Sequence, residues 1–236
     1  IAERLAADGV AVAVSGRTQT EQDSRFPGTI HETVDSIRSH GGTAIAVAAD
    51  LAKPEDRRRL IAQTEAELGP VDILVNNAAV TFFEPVADFS LRHYELMFEV
   101  QVRAPFELSQ LVLPGMRERG RGWILNISSM AAVHPQGPPY NRRGGGTVYG
   151  MCKAALERFT SGLAAEVYDD GIAVNCLSPT SIVATPGVVH HRLIPPGAED
   201  MAEPVELMAE AAAILVSGDP ATLTGRITYS KELVPR

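Results

Sequence analysis

The chain has 236 residues, 45% of them hydrophobic, and 29 acidic against 21 basic side chains give it a formal net charge of −8. That apolar content can bury the core of one large α/β domain. The negative average field disfavours nucleic acid and anionic membranes as partners. Cys152 and Cys176 stand in no CxxC or metal-ligand spacing, so neither a disulfide framework nor a zinc site is expected, and a reducing cytoplasm is the default. No run approaches the roughly 20 apolar residues of a membrane helix. Composition therefore points to a cytoplasmic protein that handles a small molecule.

The opening IAERLAADG has the pattern of the second half of an amphipathic helix ending at Gly9, so the sequence is expected to begin inside an element, with a preceding strand and turn missing. Val- and Ile-rich runs follow at 10–15 (VAVAVS), 43–49 (TAIAVAA), 71–75 (VDILV), 123–128 (WILNIS) and 172–177 (IAVNCL), with 225–230 (GRITYS) as a further candidate. Helical patterns lie between them at 29–39, 54–68, 90–119, 147–169 and 204–217. Pro54 and Pro204 suit first-turn positions, and Gly41, Gly69, Gly120, Gly171 and Gly218 suit helix ends. This alternation predicts an α/β fold over 1–236: one domain with a doubly wound parallel sheet and helices on both faces.

In such sheets ligands bind beyond the carboxyl ends of the strands. Those positions hold Gly16 and Arg17, Asp50 and Leu51, the NNAA of 76–79, Ser128 and Ser129, and Ser178 and Pro179. Early in the 147–169 helix stands YGMCK, which puts Tyr149 and Lys153 on one helical face. A phenol titrates near 10, and an adjacent ammonium favours its phenolate, so this pair can pass a proton to a carbonyl or take one from an alcohol. Alone the spacing is weak, since a tyrosine packed on a lysine stem gives it too. Ser129 and the asparagines likewise have a bland reading as groups that satisfy strand-end backbone. Their joint occurrence in this order carries the weight.

With DL at 50–51, NNAA at 76–79, NISS at 126–129, YGMCK at 149–153 and VNCLSP at 174–179, the chain resembles the short-chain dehydrogenase/reductase family over nearly its whole length. The resemblance implies a Rossmann-type fold and a nicotinamide cofactor. It makes Tyr149 the acid/base, has Lys153 lower its pKa and hold the nicotinamide ribose, and has Ser129 orient the substrate carbonyl, with Ser128 the competing hydroxyl. Asp50 and Leu51 would flank the adenine, Asn77, Ala78 and Ala79 would line the cofactor with Pro179, and Ile182 would sit near the carboxamide. Where an NAD enzyme carries an acidic residue, this chain has Gly16 followed by Arg17, which favours NADP(H) over NAD(H) because a cation attracts the 2′-phosphate.

Several departures matter. NNAA replaces the commoner NNAG, and Gln101 takes the place of an asparagine that supports a water relay to the lysine, so the longer side chain must reach back, displace the water or impair the relay. The loop after Arg17 and the segment 134–146 (HPQGPPYNRRGGG) are lengthened. The second is expected either to shape the substrate pocket through Tyr140, Asn141, Arg142 and Arg143 or to be a surface excursion. His190 and His191 diverge as neighbours and have no partner at ligand spacing, so no metal is expected. A homodimer or homotetramer through the long helices is implied. The leading activity is carbonyl–alcohol interconversion; the alternatives are reduction of 3-oxoacyl thioesters and a weakly active dinucleotide-binding regulator.

Overall fold

The computed structural model describes residues 1–20, 22, 28–140, 145–185, 188, 194 and 202–234. In chain order, α1 (Ala2–Ala7) leads into β1 (Val12–Gly16), α2 (Ile30–Ser39), β2 (Ala44–Ala48), α3 (Pro54–Leu68) and β3 (Ile73–Asn76). Next come α4 (Leu91–Phe98), a π-helical turn (Glu99–Arg103), α5 (Ala104–Arg119), β4 (Gly122–Ile127) and α6 (Thr147–Glu166). The described chain closes with β5 (Ile172–Ser178), α7 (Val205–Leu215), β6 (Ile227–Tyr229) and α8 (Ser230–Leu233). Local chemistry sets the boundaries. Thr29 caps α2 in a reciprocal box with Glu32, Pro54 opens α3, and Gly120 ends α5 in the left-handed region at φ 64°. The late run does form a strand, and Pro204, expected inside the last long helix, instead caps it from outside. The pattern at 90–119 is one helical path with a π turn in its middle, where an extra residue per turn rotates Gln101 inward.

Every strand pair is parallel, and they form two sheets, β1-β2 and β3-β4-β5-β6. Helices cover both faces. On one side Leu60 and Ile61 of α3, Leu108, Val112 and Met116 of α5 and Leu163 of α6 pack on Val47, Leu74, Ile124 and Val174 of the strands. On the other, Leu5 of α1 and Met208, Ala211, Ala212 and Leu215 of α7 pack on Leu125 and Leu177. Central β5 is buried along all its residues, as a strand covered on both faces must be.

Between β1 and β3 lies a cavity of about 990 Å³, bordered by residues 9–15 on one side and 68–78 on the other. Its far end reaches Ser128 and Pro179, at the carboxyl ends of β4 and β5.

The one fully buried guanidinium among the described residues ties this frame together. Arg57 of α3 donates to the Leu51 carbonyl at 2.5 Å, to Glu99 of the π turn at 2.9 Å and, through Nε, to Glu107 of α5 at 2.8 Å. Removing one partner of a buried ion pair strands the other charges and costs about 3–5 kcal/mol. Arg57→Ala is expected to lower the unfolding free energy by about that amount in urea titrations; a loss below about 1 kcal/mol would show that the carboxylates relax into water.

Candidate active site

The first turn of α6 docks onto the loop that leaves β4. Ser129, extended at φ −159° and ψ 153°, caps a one-turn helix (Met130–Ala132) by accepting a hydrogen bond from the Ala131 N–H at 3.2 Å. The Ala131 carbonyl in turn presses on Gly150. A Cβ at 150 would stand 2.6 Å from that oxygen, so the glycine inside YGMCK is what lets the serine turn approach Tyr149. Ser129 is thereby brought close enough to Tyr149 for its hydroxyl to act on the phenol, against the effect of burial. Ser128, the competing hydroxyl, is buried and donates to Glu157 at 2.7 Å, farther along α6. Strand alternation sends neighbouring side chains to opposite sides, and here only the second reaches the phenol.

Lys153, only 3% exposed, donates through Nζ to the Ile127 carbonyl at 2.8 Å, and Nζ lies 5.6 Å from the centre of the Tyr149 ring. Burial pulls its pKa from 10.5 down to about 8. Burial also raises Tyr149 above its ordinary value of 10, against the weaker opposing pull of the nearby Ser129 hydroxyl. The expected lowering of the phenol by Lys153 is therefore not found. The ammonium is engaged by a carbonyl and has itself lost much of its preference for the charged form.

The asparagines divide by role. Asn76 donates to Asn126 at 2.9 Å, which donates to Thr160 of α6 at 2.9 Å, a buried ladder that fixes β3, β4 and the helix. Asn175 satisfies the Leu223 carbonyl and the Arg226 N–H. These three serve the bland role, whereas Asn77, Ala78 and Ala79 are exposed at the strand end. Gln101 is 1% exposed and reaches back: its Nε2 donates to the Val80 carbonyl at 2.9 Å, while its buried Oε1 has no partner among the described residues.

A groove of about 100 Å³ gathers Gly16, Arg17, Asp50, Leu51, Ala78 and Ala79, six of the residues read from sequence as cofactor-binding. Asn77 and Pro179 instead border the larger cavity, and Ile182 stands outside both, 41% exposed. A Cβ at Gly16 would meet Ile30 at 2.9 Å, which keeps that wall flat, and Asp50 is held in place by accepting from the Ala52 N–H. Among the described residues no carboxylate pairs with Arg17. Tyr140 is exposed, while Asn141, Arg142, Arg143, His190 and His191 lie outside the described residues. The sequence reading passed over Gly150, Glu157 and Gly145, whose roles depend on which backbone comes close.

The short chain dehydrogenase family matches residues 1–192, and the chain belongs to that family. It is 35% identical over 184 residues to a short chain dehydrogenase of Pseudocercospora fijiensis, covering 77% of this chain and 55% of that protein. It is 37% identical over 183 residues to dehydrogenase/reductase SDR family member 4 of Sus scrofa, covering 76% of this chain and 59% of that protein. The chain thus spans a little over half the length of these relatives. Among solved structures, a blue fluorescent protein from a metagenomic library in complex with NADPH superposes with a TM-score of 0.78 at 29% identity, over 96% of this chain and 88% of that one. Among the described residues no helix is long and apolar enough to cross a membrane.

Burial of Lys153 has a thermodynamic signature. Between pH 8 and 10.5 the unfolded chain holds the lysine proton and the folded chain does not, so this group makes stability rise with pH. Below about 8 both states are protonated, and the folded state carries the full cost of about 3 kcal/mol. The wild-type unfolding free energy, measured relative to Lys153→Met, is expected to climb from pH 8 upward. A flat difference would mean that the lysine is solvated.

Proposed function

We propose that this chain is an NADP(H)-dependent oxidoreductase that interconverts a carbonyl and an alcohol by hydride transfer, with Tyr149 as general acid/base. The observation that carries this reading is the convergence of Ser129, Tyr149 and buried Lys153, three groups from separate chain positions at one strand end, with the serine turn pressed on Gly150 and the lysine Nζ 5.6 Å from the phenol ring. The cofactor supplies the hydride. Ser129 holds the substrate oxygen, and the Tyr149 O–H donates its proton to that oxygen as charge develops there. A phenol raised by burial is stored in its proton-donating form at neutral pH, which suits carbonyl reduction. Lys153 orients the cofactor and the phenol, and the π turn that carries Gln101 supplies the polar wall behind them.

Arg17, exposed beside Gly16 in the small groove, supports NADP(H), as does the NADPH of the solved relative. The reading includes one domain and assembly into a homodimer or homotetramer. Exposed Phe106 of α5, edge-on to Phe159 of α6 at 6.0 Å, is a suitable contact for such assembly.

Reduced-nicotinamide absorbance tests the chemistry. Tyr149→Phe is expected to lose at least about 100-fold in kcat with cofactor affinity nearly intact, and retained turnover would remove the phenol from the mechanism. Arg17→Ala is expected to weaken NADPH binding by ~10–100-fold, the worth of a charge-assisted contact, with NADH affinity little changed. An equal effect on both cofactors would place the cation elsewhere. Tight NADPH binding without turnover on a broad carbonyl panel would favour a regulatory role.

A further inference from the structure

We propose that Phe83 determines specificity by seating a flat apolar substituent of the substrate, so that the site selects aryl carbonyl compounds over saturated or charged ones. The inference rests on the carbonyl-reducing reading above. It begins with two consecutive phenylalanines that meet different fates. Phe82 is part-buried, its ring lying flat on His93 with centroids 3.7 Å apart, and it packs with Met97, Val148 and Cys152. Phe83 is 42% exposed, yet its ring meets the Tyr149 ring edge-on at 6.1 Å and 68°. An aromatic side chain forgoes burial here while touching the reacting phenol, and the open face of its ring is available to a ligand.

The ring is held in place. Gly145, at φ +89°, lays its backbone against the Phe83–Glu84 peptide: a Cβ there would stand 2.7 Å from the Phe83 carbonyl carbon and 2.8 Å from the Glu84 nitrogen. The Glu84 carboxylate turns toward His93, 3.6 Å from Nδ1, which draws its charge to the Phe82 side. The Ser129 side of the site is apolar too, since Met130 and Val133, at the two ends of the turn that Ser129 caps, are 48% and 47% exposed. Among the described residues Phe83, Met130 and Val133 give the site apolar walls, so a substrate whose oxygen reaches Ser129 and Tyr149 finds a fixed aromatic face beside it. Planar groups gain from stacking there, whereas a carboxylate set against these side chains loses its hydration.

The test compares acetophenone, cyclohexyl methyl ketone and a charged keto acid, phenylglyoxylate, with wild type, Phe83→Ala and Phe83→Trp. Reduction by NADPH is expected to favour acetophenone at least tenfold in kcat/KM. Phe83→Ala should erase that preference through KM, Phe83→Trp should keep it, and cyclohexyl methyl ketone should change by less than threefold. Calorimetric binding of the same ketones with NADP⁺, where no reduction can occur, should show the same ranking and the same loss in Phe83→Ala. If no carbonyl turns over, the reaction reading fails and the binding ranking still decides the role of Phe83. Equal affinity for the aryl and cyclohexyl ketones, or an equal loss of both in Phe83→Ala, would overturn the proposal whether or not turnover is seen.

Discussion

The site depends on a close approach between one helix and one strand end. The first turn of α6 can meet the loop after β4 only because residue 150 has no Cβ to collide with the Ala131 carbonyl. From that contact follow the approach of Ser129 to Tyr149, the burial of Lys153 against the Ile127 carbonyl and the removal of Ser128 toward Glu157. Backbone groups in a packed interior do not yield by half an ångström without disturbing their neighbours, so the hydroxyl, the phenol and the amine move as one unit.

Burial sets the chemistry that this unit offers. A tyrosine and a lysine four residues apart suggest mutual stabilisation of charge, with phenolate and ammonium side by side. The environment works against both charged forms, because desolvation outweighs the help each receives from its partners. What results is a phenol that keeps its proton at neutral pH and an amine whose pKa has fallen to about 8.

A second constraint acts at a distance. Arg57 binds the loop that follows β2, the π turn and α5 through a single guanidinium, and so joins the floor of the small groove to the helix segment that carries Gln101. One planar cation with donors fixed in a fork can hold three elements in register where a flexible ammonium could not. The inward rotation of Gln101 and the position of Leu51 are thus set by the same side chain.

Much of this was legible in the residues themselves. Alternation of apolar runs with 3.6-residue patterns determined the α/β class, the parallel sheet and most element boundaries, because strand and helix periods are local properties. Gly16, Arg17, Asp50, Leu51, Ala78 and Ala79, which lie far apart along the chain, line one groove, since in a parallel sheet every strand delivers its carboxyl end to the same edge. Tertiary packing alone decided which of two adjacent serines faces the phenol, that Asn76, Asn126 and Asn175 are structural, that the long helix contains a π turn, and in which direction Tyr149 is shifted. Each of these depends on which backbone or charge lies within a few ångströms across the fold, and a sequence records neighbours along the chain but not distances through it.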